Sequence, residues 1–283
     1  MSKCLITKLN GIVENPRLPK LEECVIEFNG KGSVNLALNE ESTIRVVDGV
    51  FSDSTYSQNN GTSKTVSSLG FQYILPTSSS ALLFLPKKKV TNIAPANCNF
   101  DVTQMLYMPS LISPGCGENC ISPKKVDIQE LCNKLAYIQT FQFASNVVKG
   151  DIAGLRDKNT TWIRLGGMDV YGDISNITSN ADQIFLSGTK IGGELSSLTC
   201  ENCMFFNNGQ FTWKNTRPSS KKILPLIGNT NLGEDVDAML IDQANCVVGT
   251  NKTISVSGNR TSASDAAVET LQQKGYTVSV TPA

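Results

Sequence analysis

Apolar and polar positions alternate over the first third of the chain. Cys24-Val25-Ile26-Glu27-Phe28 leads into Asn29-Gly30-Lys31-Gly32, a turn signal, and Val34-Asn35-Leu36-Ala37-Leu38 resumes the alternation. A period of two marks a half-buried strand. Residues 43–47 and 71–75 read as further strands. Residues 51–70, rich in Ser, Thr, Asn and Gly, read as a long surface loop or arm. The pattern predicts a small antiparallel β domain over residues 1–95, a sandwich or a barrel, whose edges invite strand addition by a partner. Contacts with partners are expected to concentrate there and in the 51–70 arm. Lys87-Lys88-Lys89 reads as a solvated edge that discourages pairing.

From about residue 100 a longer period takes over. Asp127-Ile128-Gln129-Glu130-Leu131-Cys132 recurs as Asp151-Ile152-Ala153-Gly154-Leu155-Arg156, as Asp173-Ile174-Ser175-Asn176-Ile177-Thr178 and as Glu194-Leu195-Ser196-Ser197-Leu198-Thr199, at steps of about 21–24 residues. Gly150, Gly172 and Gly193 precede the last three. A second apolar pair follows each start at a fixed phase: Phe141/Phe143, Ile163/Leu165, Ile184/Leu186 and, less regularly, Met204/Phe206. Residues two apart on a strand share a face. Each unit is therefore predicted to hold a short strand on one side and an inward helical or 3₁₀ turn on the other. Stacked units lay strand beside strand in a parallel sheet. This register requires Ile128, Ile152, Ile174 and Leu195 to be buried in one column. Asp101-Val102-Thr103-Gln104-Met105 reads as an earlier, irregular start, with its turn at residues 106–111.

Such a stack needs its last apolar layer covered. Thr253-Ile254-Ser255-Val256 reads as a strand, Ser262-Ala263-Ser264-Asp265 as a helix start and Gly275 as the stop of a helix over 266–274. Residues 276–280 form another strand. The spacing of the units resembles the leucine-rich repeat. The expected fold is mainly β with some α: an N-terminal small antiparallel β domain (1–95), a leucine-rich-repeat-like solenoid (96–250) and a C-terminal β-α-β cap (251–283).

Composition narrows the function. Lys plus Arg and Asp plus Glu both total 25, so the formal net charge is zero. That balance argues against a nucleic-acid coat, which needs surplus cations. Histidine is absent, which excludes Ser-His-Asp and Cys-His mechanisms. The opening MSKCLITKLNGIVEN holds no stretch long enough for a signal-peptide core, and the longest apolar run, Ala81-Leu82-Leu83-Phe84-Leu85, is too short to span a bilayer. Synthesis in a cytoplasm, with no membrane span, is expected.

Candidate chemistry is sparse. The nine cysteines include Cys116-Gly-Glu-Asn-Cys120 and Cys200-Glu-Asn-Cys203. Four thiolates can hold zinc, but these pairs fall in different units. Reduced, buried cysteines with no zinc and no disulfide network are expected. Gly166-Gly167 and Gly192-Gly193 suit sharp corners and form no phosphate loop. Asp169, Asp173, Asp182 and Glu194 offer carboxylates for sugar hydrolysis. An acid recurring at one phase of every unit is better explained as a cap for the following turn. Lys214, Arg217, Lys221 and Lys222 surround Pro218-Ser219-Ser220 in an expected protruding loop. That loop is either a solvated insertion or a contact point for an acidic partner, with Phe205, Phe206, Phe211 and Trp213 beside it. No catalytic, cofactor-binding or metal-ligating residue is assigned, no cofactor is expected, and the chain is expected not to be an enzyme.

The opening MSKCLITKLNGIVEN and the repeat GDISNITSNADQIFLSGTKIGGELSSL resemble structural proteins of crAss-like Bacteroides phages. The resemblance implies a head-fibre, capsid-decoration or tail-associated component of a virion, assembled in the host cytoplasm. Its implied partners are other virion proteins (capsid, portal or fibre subunits) and copies of itself, with a host-surface receptor or glycan as a further contact. No residue role carries over. The alternative is a host-surface leucine-rich-repeat module that binds glycan or peptide. A polysaccharide-cleaving spike needs a carboxylate cluster in a groove.

Overall fold

The computed structural model describes residues 7–8, 11–12, 18–40, 42–47, 51–53, 63–66, 72–76, 81–177, 181–206 and 208–282. The arm expected over 51–70 lies outside the described residues, apart from the short strands Phe51–Asp53 and Ser63–Val66.

The protein is mainly β with few helices, and its strands include parallel sheets. A main sheet begins antiparallel. The long strand Glu23–Leu38 pairs with Ala81–Pro86, with Gln72–Pro76 and with Val90–Asn99. The turn expected at Asn29-Gly30-Lys31-Gly32 does not form; the strand runs straight through it. The four residues lie where the strand changes partner, from Ala81–Pro86 beside residues 23–28 to Gln72–Pro76 beside 34–36. Its register against Val90–Asn99 shifts there. Gly32 is needed at that point, because a Cβ would stand 2.4 Å from the Phe28 ring and 2.8 Å from the Asn97 carbonyl oxygen. Gly32 thus serves a register shift rather than a reversal.

The same sheet then becomes parallel. Val90–Asn99 pairs with Ser113–Cys116, and the sheet continues through Thr140–Phe143, Trp162–Gly166, Gln183–Ser187, Asn202–Phe206, Leu226–Gly233, Thr253–Gly258 and Thr277–Thr281. A second parallel sheet takes the short strands Val126–Asp127, Val148–Asp151, Val170–Asp173, Lys190–Glu194 and Phe211–Thr212. The chain visits the two sheets alternately from Thr140 to Thr212. Between the inner faces lies one apolar core running the length of both.

Two rows of that core lie in register. Phe141, Ile163, Ile184 and Cys203 are successive partners, as are Phe143, Leu165, Leu186 and Phe205, and all are buried. The fourth apolar pair is therefore Cys203/Phe205, not Met204/Phe206. The step from Ile184 to Cys203 is shorter than the earlier ones, which moves the inward phase by one residue and turns Phe206 outward against Phe185.

The repeated acids are caps. Asp127 accepts from the Glu130 N–H at 3.1 Å, Asp151 from Ala153 at 2.8 Å, Asp173 from Ser175 at 2.8 Å and Glu194 from Ser196 at 3.1 Å. Asp101 does the same for Thr103 at 3.1 Å, as its irregular unit predicts. Behind these caps, Ile128, Ile152, Ile174 and Leu195 are fully buried. The preceding glycines have a second role. Gly172 has φ +125°, and a Cβ there would meet the Asp151 carboxylate of the previous unit at 2.4 Å. Gly150 and Gly193 stand in the same relation to Asp127 and Asp173. Asp127, Asp151 and Asp173 thus occupy the space that the next unit leaves open.

Asp151→Ala is expected to lower stability by about 1 kcal/mol, the ordinary value of a side-chain N-cap. Asp157→Ala, at an exposed position of the same unit, is expected to change it by less than about 0.5 kcal/mol. Urea midpoints at constant slope measure both. Equal midpoints for the two variants would remove the capping role.

At the C-terminal end, Thr253–Gly258 and Thr277–Thr281 are parallel neighbours joined through the helix Asp265–Gln273. Leu271 of that helix is buried, Val268 packs against the core, and Gly275 ends it at φ +84°. The helix start differs in detail from its sequence reading. Thr261, not a serine, accepts from the Ala263 N–H, and Asp237 of the neighbouring helix Val236–Ala244 receives the Ser264 hydroxyl at 2.6 Å.

Candidate functional site

Arg217 is the structural residue of the basic segment. Arg217 is only 3% exposed. Its guanidinium donates to the carbonyls of Ser196 at 2.7 Å, Leu198 at 2.6 Å and Lys222 at 2.7 Å. Lys214 pairs with Asp235, Lys222 with Glu201, and Lys221 donates to the Ser197 carbonyl. Phe205, Phe211 and Trp213 are buried, with the two phenyl rings stacked 4.8 Å apart. The segment was expected to protrude, as a solvated insertion or as a contact point for an acidic partner; positions 214–216 and 218–220 are exposed, whereas Arg217 turns inward. Arg217 is engaged within the chain because the carbonyls around it have no backbone donor, and an arginine fork reaches several of them at once.

Carboxylates at this end hold the layers together. Glu194 receives Thr212, Lys214 and Ser196, and Asp235 receives the Trp213 N–H at 2.9 Å and the Lys214 ammonium. Burial opposes ionisation of Glu194, Asp235 and Asp237, but their donors outweigh it and hold all three below the usual carboxylate range. A depressed folded value gives stability that is fully present above the unfolded value, near 4, and is lost as the pH falls through the folded value. The urea midpoint is accordingly expected to drop between about pH 5 and pH 3, and Asp235→Asn to flatten that drop. A midpoint unchanged over the same interval in the native chain would contradict these assignments.

Five of the cysteines fall into two groups. Cys200 and Cys203 form one disulfide, where buried, reduced cysteines with no disulfide network were expected. Both are buried, and the turn between them brings their Cα atoms to 6.3 Å, within reach of a bridge. A bond closing so short a loop restricts little of the unfolded chain. Cys116 and Cys120 lie at the junction of the antiparallel and parallel regions, with Sγ atoms 3.0 Å apart, and Cys98, which the sequence did not single out, is 3.8 Å from Cys120. Burial pushes the Cys116 thiol well above its ordinary value. The hydrogen bond to Cys120 and then burial push Cys98 up as well. The disulfide removes Cys200 and Cys203 from any site shared with Cys116 and Cys120.

A groove of about 480 Å³ opens on the outer face of the main sheet, at the same junction. The pleat explains its lining. Phe141, Phe143 and Ile163 point into the core, so Thr140, Gln142 and Trp162 point out. On the adjoining strands Ile93 and Leu36 point in, so Asn92, Ala94, Asn35 and Ala37 point out. Ala94, Ser113 and Gly115 are small and form the floor. Gly115 has no room for a side chain, since a Cβ would lie 2.6 Å from the Gln142 carbonyl oxygen. Asn35 and Asn92 stand on one flank, Gln142 and Trp162 on the other. None of the lining residues is charged. Trp162 is 41% exposed, whereas Trp213, the other tryptophan, is buried. The outward positions of strands carried this information in the sequence, but they become one surface only when the strands are placed side by side.

Among the described residues, no helix is long and apolar enough to cross a membrane. Comparisons with protein-family models, curated proteins and solved structures return no match for this chain.

Proposed function

We propose that the chain is a non-enzymatic structural protein of a bacteriophage virion, a head fibre, capsid decoration or tail-associated component acting through protein–protein contacts. In this proposal a leucine-rich-repeat-like solenoid grows from a small antiparallel domain and is closed by a β-α-β cap. The observation that carries it is the unbroken main sheet, in which the strand Val90–Asn99 serves the antiparallel and the parallel regions together. A stiff element that projects from an anchored base needs such continuity. The use of the repeated acids as caps also favours a scaffold over a carboxylate-driven reaction. Partners in this reading are capsid, portal or fibre subunits and further copies of the chain, assembled in the host cytoplasm.

The test is mass spectrometry of gradient-purified particles of a phage that encodes the chain, with gold-labelled antibody to residues 96–250. Stoichiometric peptides and label at the particle surface are expected; particles free of the chain would overturn the proposal. The outer groove favours a second reading, a host-surface module that binds glycan or peptide. Recovery of the chain from the host envelope and not from particles would decide for it.

A further inference from the structure

We infer that the outer groove between the strands Glu23–Leu38, Val90–Asn99, Ser113–Cys116, Thr140–Phe143 and Trp162–Gly166 is a binding site for a neutral oligosaccharide. The inference stands apart from the virion reading, because it rests on the groove alone.

Three properties of the groove select this ligand class. The first is charge. The lining carries no Lys, Arg, Asp or Glu, and the charge that borders it, Arg164 beside Gln142, is already paired with Glu118 at 3.0 Å. An anionic glycan, a nucleic acid or a charged peptide would find no unpaired counter-charge in that lining. The second is hydrogen-bonding character. Asn35, Asn92, Gln139 and Gln142 present amides, each with a carbonyl acceptor and an NH₂ donor, and Thr91 and Thr140 add hydroxyls that do both. A sugar ring presents hydroxyls that also donate and accept, so amides match it wherever it lies in the trough. The third is the indole. Trp162 is large, apolar and 41% exposed at one flank. The electron-rich face of an indole attracts the weakly positive C–H face of a pyranose, while its ring edge remains wet.

Shape agrees with chemistry. The floor of Ala94, Ser113 and Gly115 keeps the trough low between the strands of Asn92 and Gln142, two strand spacings or about 10 Å apart. Its volume of about 480 Å³ lies within the range of small-ligand sites. The walls belong to strands of a hydrogen-bonded sheet, so the amides are held in place before the ligand arrives and little ordering cost remains.

Intrinsic fluorescence of the full chain supplies the assay, because Trp162 is the exposed tryptophan and Trp213 the buried one. The probes are tetra- to hexasaccharides of neutral hexoses, pentoses and N-acetylhexosamines, with an oligogalacturonate as the anionic control and an uncharged Ser/Thr/Gly peptide as the protein control. A saturable blue shift with at least one neutral oligosaccharide is expected, and none with either control. Calorimetry on Trp162→Ala, where the reporter is lost, is expected to show Kd raised at least about tenfold, and Gln142→Ala to raise it severalfold. Both positions face outward, so thermal midpoints should stay near that of the native chain. Ala94→Tyr, which fills the floor, should abolish binding. The proposal is overturned if no neutral oligosaccharide binds up to about 5 mM, a limit at which even weak sites register. It is overturned equally if the anionic or peptide probe binds instead, or if binding survives Trp162→Ala and Ala94→Tyr unchanged.

Discussion

Ile174→Asp is expected to prevent the chain from folding. Ile174 is fully buried directly behind the Asp173 cap, with Ile152 and Leu195 in the equivalent positions of the units on either side. The substitution removes a side chain whose burial is worth about 1.5–3 kcal/mol. It also places a carboxylate in a fully buried apolar column. Together these cost roughly 4 kcal/mol or more, a large part of the ~5–15 kcal/mol that holds an ordinary domain together. Ile174→Val, which only trims a methylene, should cost about 1 kcal/mol. Urea titration of the valine variant, and solubility and circular dichroism of the aspartate variant, measure the two. A native-like midpoint for Ile174→Asp would mean that the column is not a packed interior.

Arg217→Ala is expected to cost roughly 3–5 kcal/mol, although its position in a Lys- and Ser-rich segment looks like surface. Three carbonyls, from Ser196, Leu198 and Lys222, lose their donor together. Each buried orphan costs about 1–3 kcal/mol, reduced where water can enter the space left by the side chain. Arg217→Lys should recover only part of this, because one ammonium cannot reproduce the planar fork. Lys222→Ala, which removes an exposed ion pair with Glu201, should cost at most about 1 kcal/mol. Thermal and urea unfolding of the three variants separate a buried clamp from a charged surface, and similar losses for Arg217→Ala and Lys222→Ala would reject the clamp.

The legible parts of this fold were those fixed by short-range rules. An Asp before an apolar residue, with a glycine in front, repeated at one phase, can be read as a capped turn without knowing what lies opposite. That reading placed Ile128, Ile152, Ile174 and Leu195 in the interior. Reading failed where a residue's role depends on a distant partner. Asn29-Gly30-Lys31-Gly32 carries every mark of a reversal, yet the strands on either side hold it straight. Arg217 gives no local sign that turn carbonyls some twenty residues earlier converge on it. The helix Val236–Ala244 escaped notice because its apolar residues, Val236, Met239 and Leu240, stand beside a buried Gln243, whose amide bonds the Leu224 backbone. The groove was the least legible, since it draws on five strands spread from Asn35 to Trp162.

The shared strand Val90–Asn99 also sets an order of assembly. Its partner on one side, Glu23–Leu38, precedes it, and its partner on the other, Ser113–Cys116, follows it closely. Each later strand of the main sheet then pairs with the one synthesised just before it. A nascent chain leaving the ribosome can therefore complete the antiparallel region first and use its free edge as a template. Every further layer is added as soon as its own residues emerge, with no segment waiting for a partner at the far end of the chain. Parallel pairing is ordinarily slow because distant segments must meet, and here the template reduces that search to a loop of one unit.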